Sequence, residues 1–283
     1  MAVSPFAIAG PGARVALTRR DVGLFILAAF VIASLQDVSM QGGILAFLDS
    51  LARQNLFFGF AVFVAAQRLW ASDTRPVSWF DYASLATAIA LFGFTCFLGQ
   101  PAAAGLAMSF LVMGYAARPS DPNFRSALIV MGALAINSFW GPLIFQTFTE
   151  QIIGIDVTAL RLINAILRPD IVAYGATFKS DSGFAIIIIG ACSVFNNASV
   201  AVLVTTAISQ KLKTGLVARD FVAVAVVLLV MLLLNTCRLA LVGWSRENYW
   251  FFHSGPGVAW LSAGETLVIA GTALLCARWA ARK

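Results

Sequence analysis

Long apolar stretches constrain this chain more than any other feature of its sequence. The sequence contains eight such stretches. Most of them have about the 17–25 residues that a helix needs to cross roughly 30 Å of hydrocarbon. They cover residues 22–40, 55–70, 82–98, 102–117, 124–148, 184–209, 220–243 and 258–278. Charged residues make up only 11% of the 283, against about 25% in soluble domains. The sequence therefore predicts an all-α integral membrane protein, a single polytopic bundle of about eight transmembrane helices.

The basic residues lie between the apolar stretches and predict an orientation. With a cytoplasmic N-terminus, thirteen of the nineteen Lys and Arg residues fall in cytoplasmic segments, and Arg238 lies at a span end. The five in outer segments are Arg53, Arg161, Arg168, Lys179 and Arg246. Cytoplasmic loops carry such an excess. We therefore expect a cell inner membrane protein with both termini cytoplasmic. The net charge of +6 is then explained by membrane orientation. The expected partner is membrane lipid, and we expect no binding of nucleic acid.

A small β-structure is expected in the outer segment before the sixth stretch. The runs 171–174 and 184–189 are rich in β-branched residues, and they flank a polar, Gly-containing stretch at 175–183. This pattern predicts a β-hairpin. The alternative is that 184–189 forms the first turns of the following helix. On the hairpin interpretation Cys192 lies where a strand enters a helix, and the free amides of a helix N-terminus stabilise developing negative charge.

Three side chains with distinct chemistry are expected at one outer face. They are Cys192, Arg238 and the single histidine, His253. Asn235 lies one turn before Arg238, on the same helix face. A thiol, a guanidinium and an imidazole together suggest cysteine-nucleophile chemistry. Each also has a simpler interpretation, as a buried structural cysteine, an arginine reaching the headgroups and an ordinary loop histidine.

The order of three short motifs carries a family resemblance. Gly190-Ala191-Cys192-Ser193, Asn235-x-x-Arg238 and His253-x-x-x-Gly257 resemble the exosortase/archaeosortase family of multi-pass membrane cysteine transpeptidases. The resemblance covers about residues 150–265. It implies a division into N-terminal helices (1–148), a catalytic region (149–265), and the end of the last helix with a basic cytoplasmic tail (266–283).

The resemblance also implies a mechanism and a substrate class. Cys192 would attack a peptide carbonyl to form a thioester, His253 would act as base and acid, and Arg238 would stabilise the oxyanion. Supporting roles would fall to Asn235, Ser193 and Asn196. The substrates would be exported proteins that end in a short recognition motif, one transmembrane helix and a basic tail, cleaved on the extracytoplasmic face and transferred to an acceptor. No cofactor or metal is implied.

The chain departs from the family pattern at three positions, and other functions stay open. Val194 stands in place of a Gly, Asn196 where many members have Arg, and Phe252 where Asp is common. These positions indicate a recognition signal other than the usual Pro-Glu-Pro. The main alternative is a non-catalytic transporter or envelope-polymer assembly protein, although no inverted repeat is visible. A membrane acyltransferase using the histidine is a further alternative.

Overall fold

The computed structural model describes residues 17–34, 56–98, 101–118, 120–180 and 183–282, and most of them are helical. Residues 35–40 of the first predicted span lie outside this part of the chain. The helices are α1 (Arg19–Ser34), α2 (Leu56–Trp70), α3 (Trp79–Leu98), α4 (Pro101–Ala116), α5 (Pro122–Ala135), α6 (Gly141–Thr147), α7 (Thr149–Leu167), α8 (Ala198–Leu212), α9 (Ala218–Val242), α10 (Arg246–Tyr249) and α11 (Gly257–Ala281). A π-helical turn, Ile136–Trp140, joins α5 to α6, and a second, Trp250–Ser254, follows α10.

Four of the described helices are long and apolar enough to cross a membrane. They are Trp79–Phe97, Pro122–Thr147, Ala218–Val242 and Gly257–Ala281, with mean hydropathy from 1.4 to 2.4. Three shorter apolar helices are Leu56–Trp70, Ala102–Ala116 and Ala198–Leu212. These helices indicate a multi-pass membrane protein, but the prediction of eight spans is wrong. The sixth predicted span, 184–209, fails most clearly, because its first half forms a strand and two 3₁₀ turns and α8 begins only at Ala198.

At one end of the bundle, hydrogen bonds join the termini of several helices, and these termini carry many Lys and Arg residues. Arg68, near the end of α2, donates from Nε to the carbonyl of Gln210 at 2.8 Å and so satisfies a carbonyl that the last turn of α8 leaves open. Asn123, at the start of α5, donates to the carbonyl of Ala71 at 3.0 Å. We call this the basic end. It carries Arg19, Arg20, Arg68, Arg75, Arg118, Arg125, Lys211, Lys213, Arg219, Arg278 and Arg282.

A three-stranded antiparallel sheet lies toward the end of the bundle opposite the basic end. The 26 residues Pro122–Thr147, which comprise α5, the π turn and α6, run from the basic end to this opposite end. Its strands are β1 (Val172–Tyr174), β2 (Thr177–Lys179) and β3 (Ala185–Ile187), in the order β1-β2-β3. The β-structure before Cys192 is therefore present, but the predicted pairing is wrong. Part of the expected polar turn is the central strand β2. Gly175, with φ of +58°, allows the chain to reverse between β1 and β2.

Helix α7 occupies much of the outer segment that precedes the sixth predicted span. Its buried face carries polar as well as apolar side chains, and the helix is not apolar enough to be a candidate span. The buried residues of α7 are Asp156, Val157, Leu160 and Asn164. They pack over a small core that joins α7 to the sheet and to α9, with Phe178, Ile186, Ile188 and Leu239. This core fixes the chain that leads into Cys192.

A close helix approach sets the position of the segment after Cys192. A Cβ atom on Gly141 would lie 2.5 Å from Cβ of Ser199. Glycine therefore permits α6 to contact the start of α8, where the Ser199 hydroxyl also donates to Oδ1 of Asn137 at 3.2 Å. The π turn and α6 thus hold the first turn of α8 in place.

Candidate active site

A cavity of about 240 Å³ lies where α8, α9 and α11 meet. Cys192 and Arg238, which are far apart in sequence, both line it, together with Ser193 and Asn235. The structure therefore brings together two of the three side chains that the sequence placed at one face. Apolar residues from the same helices form much of the remaining wall.

The backbone at Cys192 differs from the expected start of a long helix. Cys192 ends a single 3₁₀ turn, Gly190–Cys192, and is half-buried. Ser193 is extended, with φ of −76° and ψ of 135°, and its hydroxyl accepts from the amide of Phe195 at 3.2 Å. A second 3₁₀ turn intervenes before α8 begins at Ala198. Cys192 therefore lies in a short turn between β3 and α8, and not in the first turn of α8 itself.

A buried hydrogen-bond network holds the Cys192 turn. Nδ2 of Asn235 donates to the carbonyl of Cys192 at 3.0 Å and to Oδ1 of Asp156 at 3.4 Å. The Ser193 hydroxyl donates to Oδ2 of Asp156. Asn235 thereby ties the Cys192 turn to α7. The side chain of Asn196, the third supporting residue predicted, lies outside the described part.

Asp156 is a site residue that sequence reasoning missed. Its side chain is fully buried, at 0% exposure, although α7 is not among the candidate spans. Burial raises the pKa of the Asp156 carboxyl above its ordinary value, while the hydrogen bonds from Ser193 and Asn235 act in the opposite direction. Its spacing from Leu160 and Asn164 on one helix face is the signal that could have found it.

This raised pKa predicts a pH effect on stability. The folded protein binds the Asp156 proton more tightly than the unfolded chain, whose aspartate pKa is about 3.9. The stabilisation is thus complete below the unfolded pKa and is lost as pH rises through the folded one. We expect the wild type to gain thermal stability relative to Asp156→Asn as pH falls from neutral toward the unfolded pKa. The exposed Asp73→Asn is the matched control. Parallel melting curves for Asp156→Asn and wild type across this range would contradict the assignment.

Arg238 and Glu265 place opposite charges on the cavity wall. Arg238 is half-buried, and no hydrogen bond engages its guanidinium within the described part of the chain. Glu265, on α11, lines the same cavity, and among the described residues its buried Oε1 has no hydrogen-bond partner. Glu265 was also missed, although an acid within an apolar stretch is a functional candidate by default.

His253 does not line this cavity. It lies in the exposed π turn after α10, where its ring stacks on Tyr249 with centroids 4.6 Å apart and planes 13° apart. Its Nδ1 lies 3.3 Å from Oγ of Ser254. The turn packs against α9 and α11, so His253 is at the cavity's end of the bundle but outside the cavity itself.

Comparison with known proteins gives no relative. No family model, no curated protein and no solved structure matches this chain. The resemblance to the exosortase/archaeosortase family rests on the motif residues alone.

Proposed function

We propose that this protein is a membrane-embedded cysteine peptidase or transpeptidase acting at the Cys192 cavity. The supporting observation is that Cys192 and Arg238 line one cavity. Arg238 meets no hydrogen-bonding partner among the described residues, and its N–H groups are therefore available to a substrate oxygen. The network of Asp156, Ser193 and Asn235 keeps the backbone of the nucleophile fixed, as covalent catalysis requires.

The chemistry follows from the residue types. The Cys192 thiolate attacks the scissile carbonyl carbon, a C–S bond forms, and the carbonyl oxygen becomes an oxyanion that the Arg238 guanidinium stabilises. Collapse of this intermediate breaks the C–N bond, and the amine leaves with a proton. An acceptor amine or water then attacks the thioester, and the thiol is regenerated. An amine acceptor makes the reaction a transfer, and water makes it hydrolysis.

We assign the proton transfers to His253, acting at the cavity mouth on bound substrate. His253→Ala should then lower turnover by about 10²–10⁴-fold while Cys192 still reacts with a small alkylating reagent. Turnover is followed as conversion of membrane-anchored precursor to cleaved product. Glu265→Gln is the competing variant, because Glu265 lines the cavity and His253 does not. Full activity in His253→Ala, with the loss in Glu265→Gln instead, would transfer the acid–base role to Glu265.

The basic end supports an extracytoplasmic site. Lys and Arg concentrate on cytoplasmic ends of membrane proteins, and the Cys192 cavity lies toward the other end of α9. A substrate helix beside the bundle would then place its basic tail at the basic end and its outer junction near Cys192. In a variant with Cys192 as its single cysteine, a membrane-impermeant thiol reagent should label intact spheroplasts. Labelling only after the cytoplasmic side is opened would reverse this orientation.

One observation favours a second candidate, a transporter. Arg238 and Glu265 carry opposite charges within helices long enough to span the membrane, and such charges commonly mark ion or substrate routes. The two candidates differ at the thiol. A transporter retains its activity in Cys192→Ala, whereas a cysteine transpeptidase loses it.

A further inference from the structure

A second and larger cavity lies between α4 and α5 on one side and α8 and α9 on the other. Its volume is about 830 Å³, and it shares no lining residue with the Cys192 cavity. Ligand sites typically enclose about 300–1,000 Å³. Its interior wall is mainly apolar, with Val112, Leu128, Ile136, Val202 and Val224.

The cavity is cationic where it meets the basic end. Arg118 and Arg125 line it there, beside Ser120. The Arg118 guanidinium lies 3.6 Å from the centroid of the Phe80 ring and 5.8 Å from that of Trp79. This stacking holds the guanidinium in place. Within the described ranges, no hydrogen bond engages its N–H groups.

The carboxylate that lines this cavity does not offset the two arginines, because it is already engaged. Asp220 accepts from Oγ of Ser209 at 2.6 Å, from Nζ of Lys213 at 2.6 Å and from the amide of Val217 at 2.7 Å. Lys213 also neutralises its charge. The cavity therefore offers a net cationic mouth and an apolar interior.

We propose that this cavity binds an anionic phospholipid, with the phosphate on Arg118 and Arg125 and an acyl chain against the apolar wall. Guanidinium N–H groups match phosphate oxygens in a two-pronged geometry. Two of the helices that form the apolar wall, α5 and α9, are candidate membrane spans, and acyl chains are the solvent around such helices. This site is independent of Cys192, and it goes beyond the proposed function.

Native mass spectrometry of the full chain in detergent tests the site. Phosphatidylglycerol and phosphatidylcholine with identical acyl chains are titrated separately. The wild type should bind phosphatidylglycerol more tightly, and Arg118→Gln and Arg125→Gln should each weaken that binding roughly fivefold, with little effect on phosphatidylcholine. Arg278→Gln is the matched control, since Arg278 is an exposed cation of the basic end that does not line the cavity.

A cavity-filling variant tests the acyl-chain half of the proposal. A Cβ on Gly132 would lie 3.7 Å from Cγ1 of Val112, which is ordinary contact, so Gly132→Leu should fit and fill the space. This variant should weaken the binding of both lipids while leaving both arginines in place. A cooperative melting transition in each protein shows that it is folded. Phosphatidylglycerol should raise the melting temperature of the wild type more than that of Gly132→Leu.

Three outcomes would overturn the proposal. The first is equal binding of the two lipids by the wild type. The second is a loss of phosphatidylglycerol affinity in Arg278→Gln that is as large as the loss in Arg118→Gln, because binding would then reflect net charge only. The third is displacement of phosphatidylglycerol by millimolar inorganic phosphate, which would assign the site to a free anion.

Discussion

Cys192→Ala should abolish maturation of anchored substrates, by at least roughly 10³-fold in rate, which is the scale of losing a covalent nucleophile. Alanine removes the sulfur that the proposed mechanism acylates, and it leaves the hydrogen bond from Asn235 to the residue 192 carbonyl possible. Quantitative mass spectrometry of the membrane fraction checks this result. Exported proteins should retain the peptide that joins the outer domain to the C-terminal span.

The matched control for this prediction is Cys237→Ala. Cys237 is exposed on α9, next to Arg238 in sequence, and it does not line the cavity. Its replacement should leave maturation unchanged. Normal maturation in Cys192→Ala, with the protein present at wild-type levels, would remove the peptidase assignment.

Replacement of Arg238 should also slow the reaction strongly. Replacing a group that stabilises an oxyanion costs about 10²–10³-fold in the rate of the chemical step, and Arg238→Gln should show this loss with the bundle still folded. Arg238→Lys should recover only part of the activity, because an ammonium group does not present the two-pronged donor geometry of a guanidinium. Single-turnover cleavage of a purified precursor gives the rate.

The reactivity of the Cys192 thiol separates this role from a structural one. Arg238→Gln should retain alkylation of Cys192, with a loss confined to turnover, whereas a collapsed site would lose both. Arg246→Gln is the control, since Arg246 is exposed, starts α10 and does not line the cavity. An equal loss in both variants would contradict a specific role for Arg238.

The sequence predicted that Cys192 and Arg238 lie toward one side, and both residues line one cavity. That prediction combined the charge distribution with a count of eight spans, and the count is wrong. The sixth span could not be predicted in the same way. Four consecutive isoleucines, 186–189, favour a strand, but the apolar run continues into α8, and hydropathy does not mark where the strand ends. Hydropathy carries no signal for the extended backbone at Ser193.

Two further side chains depend on tertiary structure. Asp156 joins the site only because α7 folds back onto α9, and hydropathy does not predict that packing. His253 shows the converse limit. Its position in the sequence placed it at the correct end of the bundle, but the π turn and its stacking on Tyr249 hold the ring outside the cavity.

The most direct measurement is capture of the acyl-enzyme. Membranes containing the full chain are quenched in acid during turnover, and peptides that include Cys192 are analysed by mass spectrometry. We expect an acyl adduct on the Cys192 sulfur, and neutral hydroxylamine should release it. An adduct that persists on the protein in Cys192→Ala, or none on Cys192 while precursors are being cleaved, would contradict it.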